Sequence, residues 1–499
     1  MRFPVSIPRL ALILTLSLCG SMGHAQPDFM LHAAPVAPAA PDPAIASALG
    51  TIQPAHIEET IKTLVGFGTR STLSSMETDL PPGQGINAAA DWVAGQFEQI
   101  SHDCGGCLDV HRDTFTEPAA TEPAARIPQP TTITNVYAIL RGTDPVQAKR
   151  IVLVTGHYDS RNTNILDARG AAPGANDDAS GVAVSLECAR ALSKLHLPAT
   201  VVFVAVAGEE QGLNGSSHLA KLARSEGWQL EAVLNNDIVG GNTTPGDTLQ
   251  LKDRVRVFSE GVPAAATPEQ ARRIRALGEE NDSPSRELAR AVADTARSYF
   301  PGAATGAPGD RSSPPKRKPD APFAAFLVFR PDRYLRGGDH NSFNREGFAA
   351  VRFTEWREDF NHQHQNIVLP PAGSSDPILG DLIQFVDFSY VVNVARLNAA
   401  TLATLASSPG EPAKVAIVTK KLDNGSTLQW EAPAGAAANI HYELLWRETN
   451  APDWQFVQTI APQAEGSPIT ITVPISKDNV VFGVRAVDTA GHRSLVVVP

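Results

Sequence analysis

The stretch Arg150–Ser160, "RIVLVTGHYDS", decides the fold. Its first half is an unbroken apolar run, which suits a central strand covered on both faces. It ends on two polar residues, His157 and Asp159. Two further apolar runs follow, "ATVVFVAVAGEE" (199–210) and "LEAVLNNDIVG" (230–240), and each also ends in acids or amides. Between them lie helical patterns, "ASGVAVSLECARALSKL" (179–195) and a second ending in "AKLARSEG" (220–227). Strands alternating with helices predict an α/β fold. The expected sheet is mixed, mostly parallel and flanked by helices on both faces.

Working outward, "PAHIEETIKTLVGFGTR" and "GINAAADWVAGQFEQI" carry helical spacing, and "TNVYAILRG" reads as a strand. Helices are also expected at "SRELARAVADTARSYF" and at the closing "LIQFVDFSYVVNVARLNAATLATLA". A Pro- and Gly-rich exposed loop, "GAATGAPGDRSSPPKRKPDAP", precedes "FAAFLVF", after which the chain returns to a strand at "FAAVRFTE". After "SSPGEPAK", which reads as a linker, short alternating strands separated by turns predict a β-sandwich; the alternative is an extension of the first sheet. The expected division is a signal peptide over 1–25, an Ala/Pro-rich flexible lead-in over 26–50, a catalytic domain over 51–408 and the sandwich over 409–499.

The chain has 499 residues and a net charge of −11, which argues against nucleic acid as a partner. Arg2 and Arg9, the apolar "LALILTLSLCG" and the small residues Gly23 and Ala25 make a cleavable secretory signal; the alternative is an N-terminal anchor. No later apolar segment reaches the roughly 18 residues a membrane span needs, so no stable membrane insertion is expected and the location is secreted or periplasmic. In an exported chain "CGGC", Cys104 to Cys107, reads as a short-loop disulfide, with a redox motif as the alternative. Cys188 is expected as a buried thiol.

The polar strand ends carry the chemistry. Alone, each has an ordinary reading. His157 could be structural. Asp177, in "PGANDDASG", could be a helix cap, although Asp178 or Ser180 could equally serve. Glu209 and Glu210 could sit in a solvated loop. Asp237, inside "VLNNDIVG", is costly to bury unpaired, and a metal would explain it. His362 and His364, in "TEWREDFNHQHQNIV", are weak evidence singly. Together these residues collect beyond strand ends of one predicted sheet, where open α/β sheets place their functional groups. Such nitrogen and oxygen donors suit zinc. Five ligands exceed one tetrahedral ion but match two ions, roughly 3.5–4 Å apart, sharing a carboxylate.

In this order, "GHYDS", "GANDDASG", "GEEQGLNGS" and "NNDIVG" resemble the co-catalytic zinc aminopeptidases, a family with bacterial leucyl aminopeptidases, glutamate carboxypeptidases and glutaminyl cyclases. The resemblance covers residues 53 to 405. It implies two Zn2+ ions per chain, with other divalent metals possible. One would be held by His157 and Asp237, the other by Glu210 and His364, with Asp177 bridging. It implies Glu209 as general base and Asp159 as the residue orienting His157. The last histidine is read as His364, with His362 as the alternative. "GGDHNSF" resembles a segment near the family's substrate pocket, which makes His340 a pocket-lining residue. The implied activity is aminopeptidase action on peptide or protein substrates. Cyclase or carboxypeptidase chemistry is the alternative, and a non-enzymatic binding protein is the reading outside enzymes. The C-terminal "VRAVDTAG", with Trp430 and Tyr442, resembles a fibronectin type III module.

Overall fold

The computed structural model describes residues 27–499 apart from 32, 123, 302–321, 335, 421–422, 436–438 and 462–467. The expected signal peptide and all but the last residue of the Pro- and Gly-rich loop lie outside the described residues. The first described strand, β1 (Ala34–Pro35), belongs to the lead-in. The large sheet takes the next eight: β2 (Leu108–Glu117), β3 (Thr131–Leu140), β4 (Arg150–His157), β5 (Thr200–Val206), β6 (Gln229–Asn236), β7 (Arg254–Ser259), β8 (Ala324–Val328) and β9 (Ala350–Thr354). Their order is β2-β3-β5-β4-β6-β9-β7-β8. The inner strands β5, β4, β6 and β9 run parallel, whereas β3 is antiparallel to β5 and β7 to β9.

The apolar run of β4 is explained by what covers its two sides. Val152 and Val154 join the core formed with the helices Pro54–Gly66, Gly85–Asp103, Ala179–Leu192, Pro284–Tyr299 and Phe388–Ser407. Leu153 points the other way, into the core under the helix Asn214–Ser225. Each such buried aliphatic side chain contributes about 1.5–3 kcal/mol. Two glycines set how closely the helix Ala179–Leu192 approaches the strand ends. A Cβ on Gly156 would lie 2.4 Å from the Gly181 carbonyl carbon, and one on Gly181 2.3 Å from the Asn236 carbonyl oxygen. Only hydrogen side chains let the helix start seat between the ends of β4 and β6.

Beyond the helix Phe388–Ser407 the chain forms β10 (Ala413–Ile417), β11 (Ser426–Glu431), β12 (His441–Glu448), β13 (Phe456–Ile460), β14 (Ile469–Val473) and β15 (Val480–Val487). These make a three-stranded sheet, β10-β11-β14, and a four-stranded one, β1-β13-β12-β15. A shared core of Trp430, Tyr442, Trp446, Phe482 and their neighbours lies between them, so the sandwich expectation is met by separate sheets and not by extension of the large one. Cys104 and Cys107 are disulfide-bonded, and Cys188 is a buried free thiol.

The lead-in departs from expectation. Instead of a flexible tether, β1 adds antiparallel to β13 at the edge of the sandwich. The Phe29 ring lies 6.0 Å from that of Phe456, and the Trp446 indole N–H donates to the Phe29 carbonyl (3.0 Å). The Pro and Ala content that suggested flexibility also favours extended backbone, which an open sheet edge can pair with.

The sandwich is fixed to the large sheet's helices by buried charge. On the side of the large sheet, Glu287 and Arg290 of the helix Pro284–Tyr299 and the preceding Asp282 are buried, and Arg447 of β12 pairs with Asp282. Trp454 donates its indole N–H to Glu287 Oε2 (2.8 Å), and Arg290 Nε donates to the Pro452 carbonyl (2.8 Å). Removing one partner strands the others in a poorly solvated place. Arg447→Ala is therefore expected to cost about 3–5 kcal/mol, read from the midpoint of urea unfolding. A loss under 1 kcal/mol would show that the network is not what joins the two parts.

Candidate metal centre

Each polar tip is delivered by backbone that the sheet fixes. His157 is the last residue of β4, and its backbone N–H donates to Asp178 Oδ2 (3.0 Å). Asp178 is also the cap of the helix Ala179–Leu192, accepting from the Gly181 N–H (2.9 Å). That leaves the Asp177 carboxylate free for other work. The peptide between Asp177 and Asp178 is cis. Glu209 and Glu210 open a single helical turn after β5, and Asp237 follows β6 directly.

The Asp177 carboxylate lies between two imidazoles. Its Oδ1 is 3.2 Å from His157 Nε2, and its Oδ2 is 2.9 Å from His364 Nε2. Asp237 Oδ1 is 3.9 Å from His157 Nε2, and Glu210 Oε2 is 3.2 Å from His364 Nε2. One ligand atom from each of His157, Glu209 and Asp237 lies within 4.8 Å of the others, and the same holds for Asp177, Glu210 and His364. His364 is held in the left-handed region (φ 58°), an unusual backbone for a non-glycine residue. His362 is placed elsewhere. Its ring stacks on Phe385 with centroids 3.6 Å apart.

Asp159 is fully buried. Its carboxylate lies 3.4 Å from His157 Nδ1, and its backbone carbonyl is nearer, at 3.1 Å. The same carboxylate accepts from the backbone N–H of Glu209 (3.3 Å) and Glu210 (3.2 Å) and from the Thr72 hydroxyl (3.0 Å). It thus joins the ends of β4 and β5. His340, expected to line a pocket, is instead fully buried, with Nε2 2.6 Å from the Pro331 carbonyl. Its neighbour Asp339 is one of the acids whose charge is felt by Glu209, after Asp237 and Glu210.

Several contributors had no local sequence signal. Asp381 accepts from the backbone N–H of Asn176 (2.9 Å) and Asp177 (2.7 Å), fixing the turn that presents Asp177. The buried Arg70 guanidinium donates to the carbonyls of Tyr158 (2.6 Å), Pro173 (2.6 Å) and Gly174 (2.9 Å), tying that turn to the end of β4. Arg352 is paired with Asp237 (2.8 Å). These partners lie up to about two hundred residues apart in the chain, beyond any motif window.

The electrostatics call for cations. Burial raises the Glu209 carboxyl well above its usual range, and Asp237, Glu210 and Asp339 add repulsion against the attraction of His157. Burial likewise raises Glu210, with Asp177 adding to it, and brings Asp339 to about 7. Burial works to lower the two histidines, but the acids outweigh it. His157 is raised well above normal by Asp159 and Asp177, and His364 is pushed up to about 10 by Glu210 and Asp177. Glu210 Oε1 is buried without a hydrogen bond, and His157 Nε2 faces only the carboxylates of Asp177 (3.2 Å) and Asp237 (3.9 Å). Buried nitrogen and oxygen ligand atoms crowded together in this way fit divalent metal of the zinc kind.

Comparison with known proteins settles the family. A profile of "Peptidase family M28" matches residues 135–287. A probable zinc metalloprotease of Pyricularia oryzae is 42% identical over 467 residues, covering 92% of this chain and 85% of that protein. This chain belongs to peptidase family M28. A second relative, a probable zinc metalloprotease of Leptosphaeria maculans, is 39% identical to the peptidase, covering 92% of this chain and 97% of that one. Among solved structures, the LapA aminopeptidase of Legionella pneumophila matches at 19% identity and a TM-score of 0.46, covering 73% of the peptidase and 74% of that chain.

Two outcomes follow for the peptidase. Metal must displace the protons that the acids hold on His157 and His364, so affinity should rise with pH and loading near pH 7 should release protons. Calorimetry in buffers of different ionisation enthalpy reads that release; loading without it would contradict the proton-laden histidines. Asp381→Ala, which frees the Asn176 and Asp177 amides, should weaken zinc binding about 10–100-fold in a chelator competition. Unchanged affinity would remove Asp381 from the site.

Proposed function

We propose that the chain is an exported two-ion aminopeptidase. The observation that carries this reading is the Asp177 carboxylate, with one oxygen toward each imidazole and Glu209 beside it. In this reading His157 and Asp237 would hold one Zn2+, Glu210 and His364 would hold the other, and Asp177, with one oxygen toward each imidazole, would be shared between them. When bound, the ions supply acidified water and polarise the scissile carbonyl. Glu209 takes the proton from the attacking water and returns it to the leaving amine. Its burial among acids favours this, because it raises the carboxyl's affinity for that proton. Asp159 fixes the His157 ring and, through the amides of Glu209 and Glu210, the two glutamates. The excess of buried acids gives the free α-amino group of a substrate a place to dock.

The signal-like N-terminus supports export after cleavage near residue 25. Among the described residues no helix is long and apolar enough to cross a membrane. The sandwich is read as a fibronectin type III-like module, on the packing of Trp430 against Tyr442 (centroids 5.5 Å apart) between its sheets. Peptides or proteins are the expected partners.

The test is Glu209→Gln assayed on aminoacyl anilides, N-terminally blocked peptides and peptides with N-terminal Gln. Wild type should release residues from free amino termini only. The variant should lose at least about 100-fold in kcat, the scale of one general acid–base group, while keeping its zinc. Retained turnover would sink the role of Glu209, and cyclisation of N-terminal Gln without hydrolysis would point to the cyclase alternative.

A further inference from the structure

Arg352 lies in the middle of β9 and is fully buried. Its Nη2 stands 2.8 Å from Asp237 Oδ1, the same oxygen that faces His157 Nε2. Its Nη1 donates to the Gly337 carbonyl (2.9 Å) and to Asp332 Oδ2 (3.3 Å). The neighbouring backbone makes room for this group, because a Cβ on Gly338 would stand 2.6 Å from Nη1. The guanidinium is thus clamped from both ends, with one end on the oxygen the metal reading needs.

The other half of the centre is built differently. Asp177 Oδ2 receives the neutral Gln363 amide (3.1 Å), and the Asp177 amide donates to Asp381 (2.7 Å). The group against Glu210 and Asp177 there is the His364 imidazole, itself a proposed ligand. A guanidinium stays charged at all working pH values. A carboxylate behind a ligand histidine strengthens that ligand, as Asp159 can do from 3.4 Å at His157 Nδ1, so the guanidinium on Asp237 acts against it at the same ion. A guanidinium on a ligand carboxylate does the reverse, since it draws charge from the donating oxygen and repels the ion across a short, poorly screened distance.

We propose that Arg352 is a positioning residue that makes the metal centre unequal. It fixes the Asp237 carboxylate and weakens it as a donor, so the ion at His157 and Asp237 binds more weakly than the ion at Asp177, Glu210 and His364. This rests on the two-ion reading above. A consequence is that the ion on the His157 side keeps more of its charge for polarising substrate.

The test is a zinc titration of the metal-free full chain against a competing chelator. Wild type should bind two ions with affinities about 10–100-fold apart, the span of outer-shell effects on metal sites. His157→Ala should keep the tighter ion, and His364→Ala only the weaker. Arg352→Met should tighten the weaker ion by about 10-fold. Arg352→Lys, which keeps the charge, should retain the wild-type gap and guards against a folding defect in the Met variant. Arg352 acting only as a structural ion pair would leave the weaker affinity unchanged in Arg352→Met and overturn the proposal. Two equal affinities in wild type, or a tighter ion lost with His157, would overturn it too. Fewer than two ions in wild type would instead overturn the two-ion reading beneath it.

Discussion

The site depends on one carboxylate standing between two imidazoles. Asp177 presents Oδ1 to His157 and Oδ2 to His364, and both imidazoles also face further acids. Buried acids in that number repel one another and are costly to desolvate. The acids raise the proton affinity of His157 and His364, so protons held there relieve part of that cost, and divalent ions would relieve more. Much of the surrounding structure serves to hold Asp177 in that position. Asp381 and Arg70 pin its turn, Asp178 caps the following helix so that Asp177 need not, and Gly156 and Gly181 let helix and strands close to backbone contact.

Much of this was legible in the sequence because it is local. The apolar runs of β4, β5 and β6 identify buried strands, since both faces are covered. The polar residues fall where those runs stop, and a parallel sheet gathers strand ends along one edge. His157, Asp159, Asp177, Glu209, Glu210 and Asp237 were therefore visible as a set, and the structure brings them together with His364. The choice between His364 and His362 was not a matter of spacing. It turns on a loop in which one ring points at Asp177 and the other stacks on Phe385.

What the sequence hid is mostly long-range. Asp381 and Arg352 act through partners in distant segments, and nothing near them in the chain marks them out. His340 shows the limit of a motif, because a single helical turn puts Asp339 toward the cluster and turns the histidine to the Pro331 carbonyl. The lead-in shows another. Composition suggested a flexible segment and gave no sign of the sheet edge that takes it, since that edge is built from β13, over four hundred residues away. The strands β2, β10 and β13 were missed because half-exposed strands carry weaker patterns than buried ones, and β7, although buried, is short and its apolar residues are interrupted by Arg254 and Arg256.

The central claim is that Asp177 bridges two ions. Anomalous diffraction at the zinc edge, from crystals of the zinc-loaded protein, tests it most directly. The account predicts two peaks on either side of the Asp177 carboxylate, roughly 3.5–4 Å apart, one beside His157 and Asp237 and the other beside Glu210 and His364. A single peak, or a second ion bound through His362, would contradict it.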